Sequence, residues 1–167
     1  MTAGNLKPAQ SSTVLAVLIS GLGFLSATAL FGGAMLLADP SGANLEIPNA
    51  YLRDSPFDDY RVPGAILFGV LGIGPLLAVY GIWRRPQWRW ANALNPSKKM
   101  HWAWSASVTV GAALIVWIAI QVAVIGYASL LQPLYGILGL LILILSLHRS
   151  TRRALAERGE DESPERK

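Results

Sequence analysis

Residues 102–125 read WAWSASVTVGAALIVWIAIQVAVI, an unbroken apolar run without a single charged side chain. Its length matches the roughly 20 residues a helix needs to cross a hydrocarbon core about 30 Å thick. Apolar side chains occupy every direction around the run, so it lacks the alternation of a barrel strand. Inside lipid, each backbone N–H and C=O has to be paired within the segment, which leaves the α-helix.

Three further stretches have the same character: Thr13 to Ala38, Pro63 to Trp83 and Leu130 to Leu147. The whole chain agrees with them. It is 53% hydrophobic and only 14% charged, against about 25% charged in ordinary soluble domains. The expected fold is an all-α membrane protein, a four-transmembrane-helix bundle with a structured extracytoplasmic loop between helices 1 and 2. The expected division is a cytoplasmic N-terminus over 1–12, a transmembrane domain over 13–148 and a basic, then mixed-charge, cytoplasmic tail over 149–167. The first apolar run is longer than the core of a cleaved leader and follows only Lys7, so it reads as a span rather than a signal peptide.

Charge asymmetry predicts the orientation. The 84–101 connector carries Arg84, Arg85, Arg89, Lys98 and Lys99 and no acid, and Arg149, Arg152 and Arg153 follow the last span. The 39–62 connector instead carries Asp39, Glu46, Asp54, Asp58 and Asp59 against Arg53 and Arg61. Lys/Arg excess marks the cytoplasmic side, placing both termini inside and the acidic loop outside. The cationic residues are expected to meet anionic lipid headgroups. Trp83, Trp88, Trp90, Trp102 and Trp104 form an expected aromatic belt at the same interface. The net charge of +4 is thereby accounted for at the membrane, and no basic patch with stacking residues points to nucleic acid.

Local punctuation predicts more. Asp39-Pro40-Ser41-Gly42 suits a type I turn that ends the first helix. Pro48 to Arg53 suits a short interfacial helix, and Ser55-Pro56-Phe57-Asp58 reads as a helix N-terminus. The fourth helix is expected to run on through Ala156. Asp54, Asp58, Asp59, Tyr60 and Arg61 are candidate contact residues of the outer loop. Gln121 is a candidate partner of Gln132 and Tyr135 across two helices. Gly21, Gly32, Gly69, Gly72, Gly136 and Gly139 supply small surfaces for close helix packing. Pro75 removes one helical bond and frees the carbonyl of Leu71.

His101 and His148 flank spans three and four at one depth and are the candidate ligands for a haem. Against catalysis, the chain has no cysteine, no His-Glu-x-x-His, no phosphate-cradling loop ending in Gly-Lys and no Gly-x-Ser-x-Gly elbow. No ionisable acid or base lies inside an apolar stretch, as ion-coupled transport usually requires. No catalytic residue, metal ligand set or cofactor is therefore expected.

The residues Asp39-Pro40-Ser41-Gly42, Ser55-Pro56-Phe57-Asp58-Asp59-Tyr60 with Pro63-Gly64, Gln121, Ile125-Gly126-Tyr127 and Leu131-Gln132-Pro133-Leu134-Tyr135 resemble a group of small bacterial four-helix membrane proteins. The resemblance implies a bacterial cytoplasmic membrane and carries no activity. Together these features favour a non-enzymatic membrane protein: an accessory or structural subunit with a protein partner, or a self-associating bundle. The rival reading is a small transporter or channel for a neutral or lipidic solute. A haem-binding or lipid-modifying protein comes after both.

Overall fold

The computed structural model describes residues 8–53, 55–97 and 99–156, with side chains from Thr13 onward. The candidate contact Asp54 and the cationic Lys98 lie outside the described residues, as does the tail beyond Ala156. What is described is helical, without a strand beyond one isolated bridge pairing Met100 with Ala156.

Helix α1 spans Pro8–Ala38. Helix α2 runs through Arg61–Arg84 and contains a π-helical segment, Leu67–Ile73. A short α3, Arg89–Leu94, precedes α4, Trp102–Ile125. The chain then forms α5, Leu131–Leu147, and a final short α6, Arg149–Ala154. Three of these helices are apolar and long enough to cross a membrane: Thr13–Ala38 with 26 residues, and Arg61–Arg84 and Trp102–Ile125 with 24 each. At 1.5 Å per residue they reach roughly 36–39 Å. Helix α5 is apolar but shorter, with 17 residues.

Helix α1 packs along α2, α2 against α4, α4 along α5, and α5 returns to α1. Leu18, Leu22, Leu25, Leu71, Leu114 and Ile142 fill the space between them, each no more than 1% exposed. Helix approach is set by glycines whose missing Cβ would strike a neighbour. A Cβ on Gly33 would lie 2.6 Å from the Phe68 backbone nitrogen, and one on Gly64 2.8 Å from Leu36 Cβ. Gly81 faces Trp102 and Ala103 in the same way, and Gly111 meets the backbone of Leu143. Membrane helices gain much of their association from such backbone approach, because apolar side chains are as well solvated by lipid as by one another.

Pro75 explains the π segment. In an α-helical register its ring would press on the carbonyl of Leu71 and offer no N–H. The chain widens just upstream, with the Gly74 N–H bonding to the Gly69 carbonyl five residues back. The carbonyl that takes a side-chain donor is Gly72's: the buried Ser26 hydroxyl donates to it at 2.7 Å. The side-chain bond from the neighbouring helix thus falls on Gly72, one residue beyond the Leu71 carbonyl that the sequence singles out.

Two boundaries differ from expectation. No helix starts at Ser55-Pro56. Ser55 Oγ accepts the Phe57 N–H at 3.2 Å and donates to the Leu52 carbonyl at 2.9 Å, closing a local turn instead. Helix α2 begins only at Arg61, whose N–H is taken by the Asp59 carboxylate at 2.9 Å. Nor does α5 continue through Ala156. His148 adopts extended backbone with ψ 143°, and α6 starts anew behind it. Side-chain capping competes with helix continuation at both places.

Candidate functional site

Chemistry-bearing side chains collect at the two ends of the helices. At one end, residues 39–53 and 55–60 fold as a compact cap. Asp39 Oδ1 accepts the Ser41 hydroxyl at 2.7 Å and the Ser41 N–H at 3.1 Å, and Oδ2 accepts the Asn44 N–H at 3.0 Å. These bonds hold the Asp39 carboxyl below its ordinary pKa, the Ser41 hydroxyl contributing most. Gly42, at φ +78°, turns the chain where a Cβ would meet the Tyr60 ring at 2.9 Å. A short 3-10 turn, Asn49–Leu52, follows.

Tyr60 organises this cap. Its ring is 7% exposed, its hydroxyl donates to the Pro48 carbonyl at 2.9 Å and its N–H to the Pro40 carbonyl at 2.9 Å. Burial, with a smaller contribution from Tyr51, pushes its pKa up. The phenol therefore ties the loop to itself rather than facing a ligand. Asp58 is exposed, and Asp59 pairs at 3.7 Å with Arg61, both at the surface.

At the other end, Trp88 stacks on Tyr80, Trp90 and Trp102 at ring separations of 5.6, 5.3 and 5.2 Å. The Pro86 carbonyl receives the Trp102 indole N–H at 2.8 Å. His101 caps α4: its Nδ1 accepts the Ala103 N–H at 3.3 Å. That fixes the proton on Nε2, 3.3 Å from the Pro86 carbonyl. Asn95 closes the 84–101 connector. Its Nδ2 donates to the Met100 carbonyl at 2.6 Å, while Oδ1 accepts the Ser105 hydroxyl at 2.6 Å and the Ser97 N–H at 3.2 Å.

The aromatic belt is split. Trp83 and Trp90 are 74% and 57% exposed, whereas Trp102 is buried and Trp88 and Trp104 are half-buried; Trp104 donates its indole N–H to the Ser146 carbonyl at 2.9 Å. Arg84 lies 5.1 Å over the Trp83 ring, and Arg85, Arg89 and Lys99 are exposed.

Helix α6 folds back on this end. Thr151 and Leu155 are buried, and the Leu155 carbonyl accepts the His101 N–H at 2.8 Å. The other face carries Arg149, Arg152 and Arg153 around a shallow, open cleft of about 240 Å³. His148 is exposed and caps α6 through Nδ1, which accepts the Ser150 N–H at 3.2 Å. The two histidines thus share a helix-capping task, and the His101 ring has both nitrogens against backbone groups of the protein.

Gln132 is buried, and its amide is committed to its own connector: Oε1 accepts the Ala128 N–H at 2.9 Å and Nε2 donates to the Gly126 carbonyl at 3.1 Å. It does not bridge to Gln121, which is half-buried on α4, and Tyr135 stacks on Phe24 instead. Among the glycines, Gly72 sits 2.7 Å, as a virtual Cβ, from Leu30, and Gly139 3.0 Å from Ile115. Gly32 meets Leu67 at 3.4 Å; Gly21 and Gly136 have only ordinary contacts, and Gly69 faces open space. The tight positions also include Gly81, seven residues from the nearest other glycine of its segment, and Gly111, the single glycine of the 102–125 run, so neither belongs to a small-residue cluster. Asn95 was missed too, since a single amide in a polar connector carries no motif.

No group of three or more His, Cys, Asp or Glu that could hold a metal ion occurs among the described residues. No family model, curated protein or solved structure matches the chain.

Proposed function

We propose that this is a four-span integral protein of a bacterial cytoplasmic membrane, both ends in the cytoplasm, acting without catalysis as a structural or accessory subunit. The 17 residues of α5 fall at the lower limit for a span, and Leu130 ahead of it supports a fourth crossing. The acidic 39–62 connector then lies outside and the cationic 84–101 connector inside. The observation that carries the role is the filled interior: large side chains at 0–1% exposure close the space between the helices. No charged residue lies within the apolar spans, and a solute pathway would need either a cavity or such a residue. What remains for interaction is the lipid-facing surface and the two capped ends.

Topology is testable because the chain has no cysteine. Asn44→Cys should react in intact cells with a maleimide that cannot cross membranes, and Ala156→Cys only after permeabilisation; the reverse pattern overturns the orientation. For the role, affinity purification in a mild detergent should bring down a stoichiometric partner or a second copy. A strictly monomeric particle, alone at native abundance, would count against a subunit role.

A further inference from the structure

The cationic residues of this end are not equivalent. Arg84 lies over Trp83, and Arg85 and Arg89 are exposed on the 84–101 connector. Arg149, Arg152 and Arg153 instead project from a single turn of α6 and line one cleft of about 240 Å³. Residues three and four apart on a helix are neighbours, so like charges there repel. Among the described residues none of the three pairs with a carboxylate, the one ion pair being Arg61 with Asp59.

Their helix is held in place independently of that repulsion. It has only six residues, too few to persist alone in water. Thr151 and Leu155 are buried beneath it, the Leu155 carbonyl is bonded to the His101 N–H, and Ala156 bridges Met100. Arg152 is further steadied 6.0 Å over the Trp104 ring. Three arginines are thus presented together from a backbone that is held in place, and their planar donor forks suit phosphate oxygens.

The surroundings select the form of that phosphate. Directly ahead of the arginines in the chain, α5 exposes Ile137, Leu140, Leu141, Ile144 and Leu147. A cationic cleft at the end of an apolar helix face matches a molecule with a phosphate at one end and acyl chains at the other. We propose that Arg149, Arg152 and Arg153 form a discrete binding site for the phosphodiester headgroup of one anionic glycerophospholipid, its acyl chains lying along α5. The bound lipid offsets the repulsion within α6 and so fastens the C-terminal helix over the 100–104 segment. This inference rests on the membrane-spanning reading above.

The test uses the full chain purified in a neutral detergent. Native mass spectrometry would follow titrations with phosphatidylglycerol, with phosphatidylcholine and with inorganic phosphate. The wild type should hold one phosphatidylglycerol at least about tenfold more tightly than phosphatidylcholine, a difference of about 1.4 kcal/mol. Arg149→Gln/Arg152→Gln/Arg153→Gln should lose that preference. A control, Arg84→Gln/Arg85→Gln/Arg89→Gln, removes equal charge and should keep it. Arg149→Lys/Arg152→Lys/Arg153→Lys keeps the charge without the fork and should bind several-fold more weakly than wild type; it also serves if the glutamine variant fails to fold. Equal loss in the control would mean diffuse surface attraction and overturn the site, as would equal retention of the zwitterionic lipid. Displacement of the lipid by millimolar inorganic phosphate would reassign the cleft to a free anion. A chain that stays soluble without detergent would instead remove the membrane reading itself, so the two failures are separable.

Discussion

Gly33→Ala, set beside Gly23→Ala in the same helix, isolates how α1 and α2 are held together. The added methyl at residue 33 would lie 2.6, 2.7 and 2.8 Å from the nitrogen, Cβ and Cα of Phe68. Carbon contacts are comfortable only at about 3.5–4.0 Å, so the helices have to part by about 1 Å. The obstruction includes backbone, which no rotamer change relieves. The same crossing holds Gly32 against Leu67 at 3.4 Å and Gly64 against Leu36 at 2.8 Å, so its neighbours loosen too. Overpacking of this kind costs about 1–3 kcal/mol, partly offset by the better helix propensity of Ala, about 1 kcal/mol. At Gly23 nothing lies within 4 Å, and only the propensity gain remains. The propensity gain is common to both variants, so the pair should differ by the overpacking cost alone, about 1–3 kcal/mol, with Gly33→Ala the less stable. Equilibrium unfolding in mixed micelles of dodecyl sulfate and dodecyl maltoside, followed by tryptophan fluorescence and circular dichroism, measures the difference. Equal stabilities, or a more stable Gly33→Ala, would refute the close-approach argument.

Other perturbations probe the remaining supports. Ser26→Ala leaves the Gly72 carbonyl without its hydroxyl donor and should cost about 0.5–1.5 kcal/mol in the same assay; an unchanged midpoint would show that the π segment needs no such partner. Asn95→Ala removes three hydrogen bonds, leaves buried groups unmatched at about 1–3 kcal/mol, and should alter tryptophan emission by loosening the aromatic stack. Because the Asp39 pKa is lowered on folding, its contribution is present above the ordinary aspartate value and is lost as pH falls through the lower folded one. Carbon-13 NMR of its carboxyl should follow that descent, and titration at the ordinary aspartate pKa of 3.8 would contradict it. Tyr60, whose pKa is raised, stabilises the cap up to the ordinary tyrosine range and loses that contribution as pH rises further. Absorbance titration should show a late-ionising component that Tyr60→Phe removes.

The candidate ends were legible unevenly. Asp39-Pro40-Ser41-Gly42 announces its turn because Asp, Pro and Gly act through their own backbone and nearest neighbours. Ser55-Pro56 carries equally local signals for a helix start, yet Ser55 turns to Leu52 and Phe57 while Tyr60 is drawn down onto Pro48. Burial of one aromatic ring decided the issue there. His148 is similar: the residues on both sides suit a helix, but docking of Thr151 and Leu155 breaks it. Gln132 looked like a bridge between helices and became a loop fastener, because its own connector offered unpaired N–H groups nearer than Gln121 did.

From the sequence alone come the all-helical character and the suitability of the long apolar stretches for lipid, because the need to pair backbone groups in hydrocarbon acts on each segment separately. Only the tertiary structure decides which glycines are contacts and which face outward, that Ser26 reaches the Gly72 carbonyl inside the π segment, and that three arginines of the last helix surround one cleft. These are relations between segments distant in the chain. Hydrophobic transfer into lipid is nearly the same for every face of such a helix, so the choice of face falls to steric fit and to single hydrogen bonds, which composition and periodicity do not record.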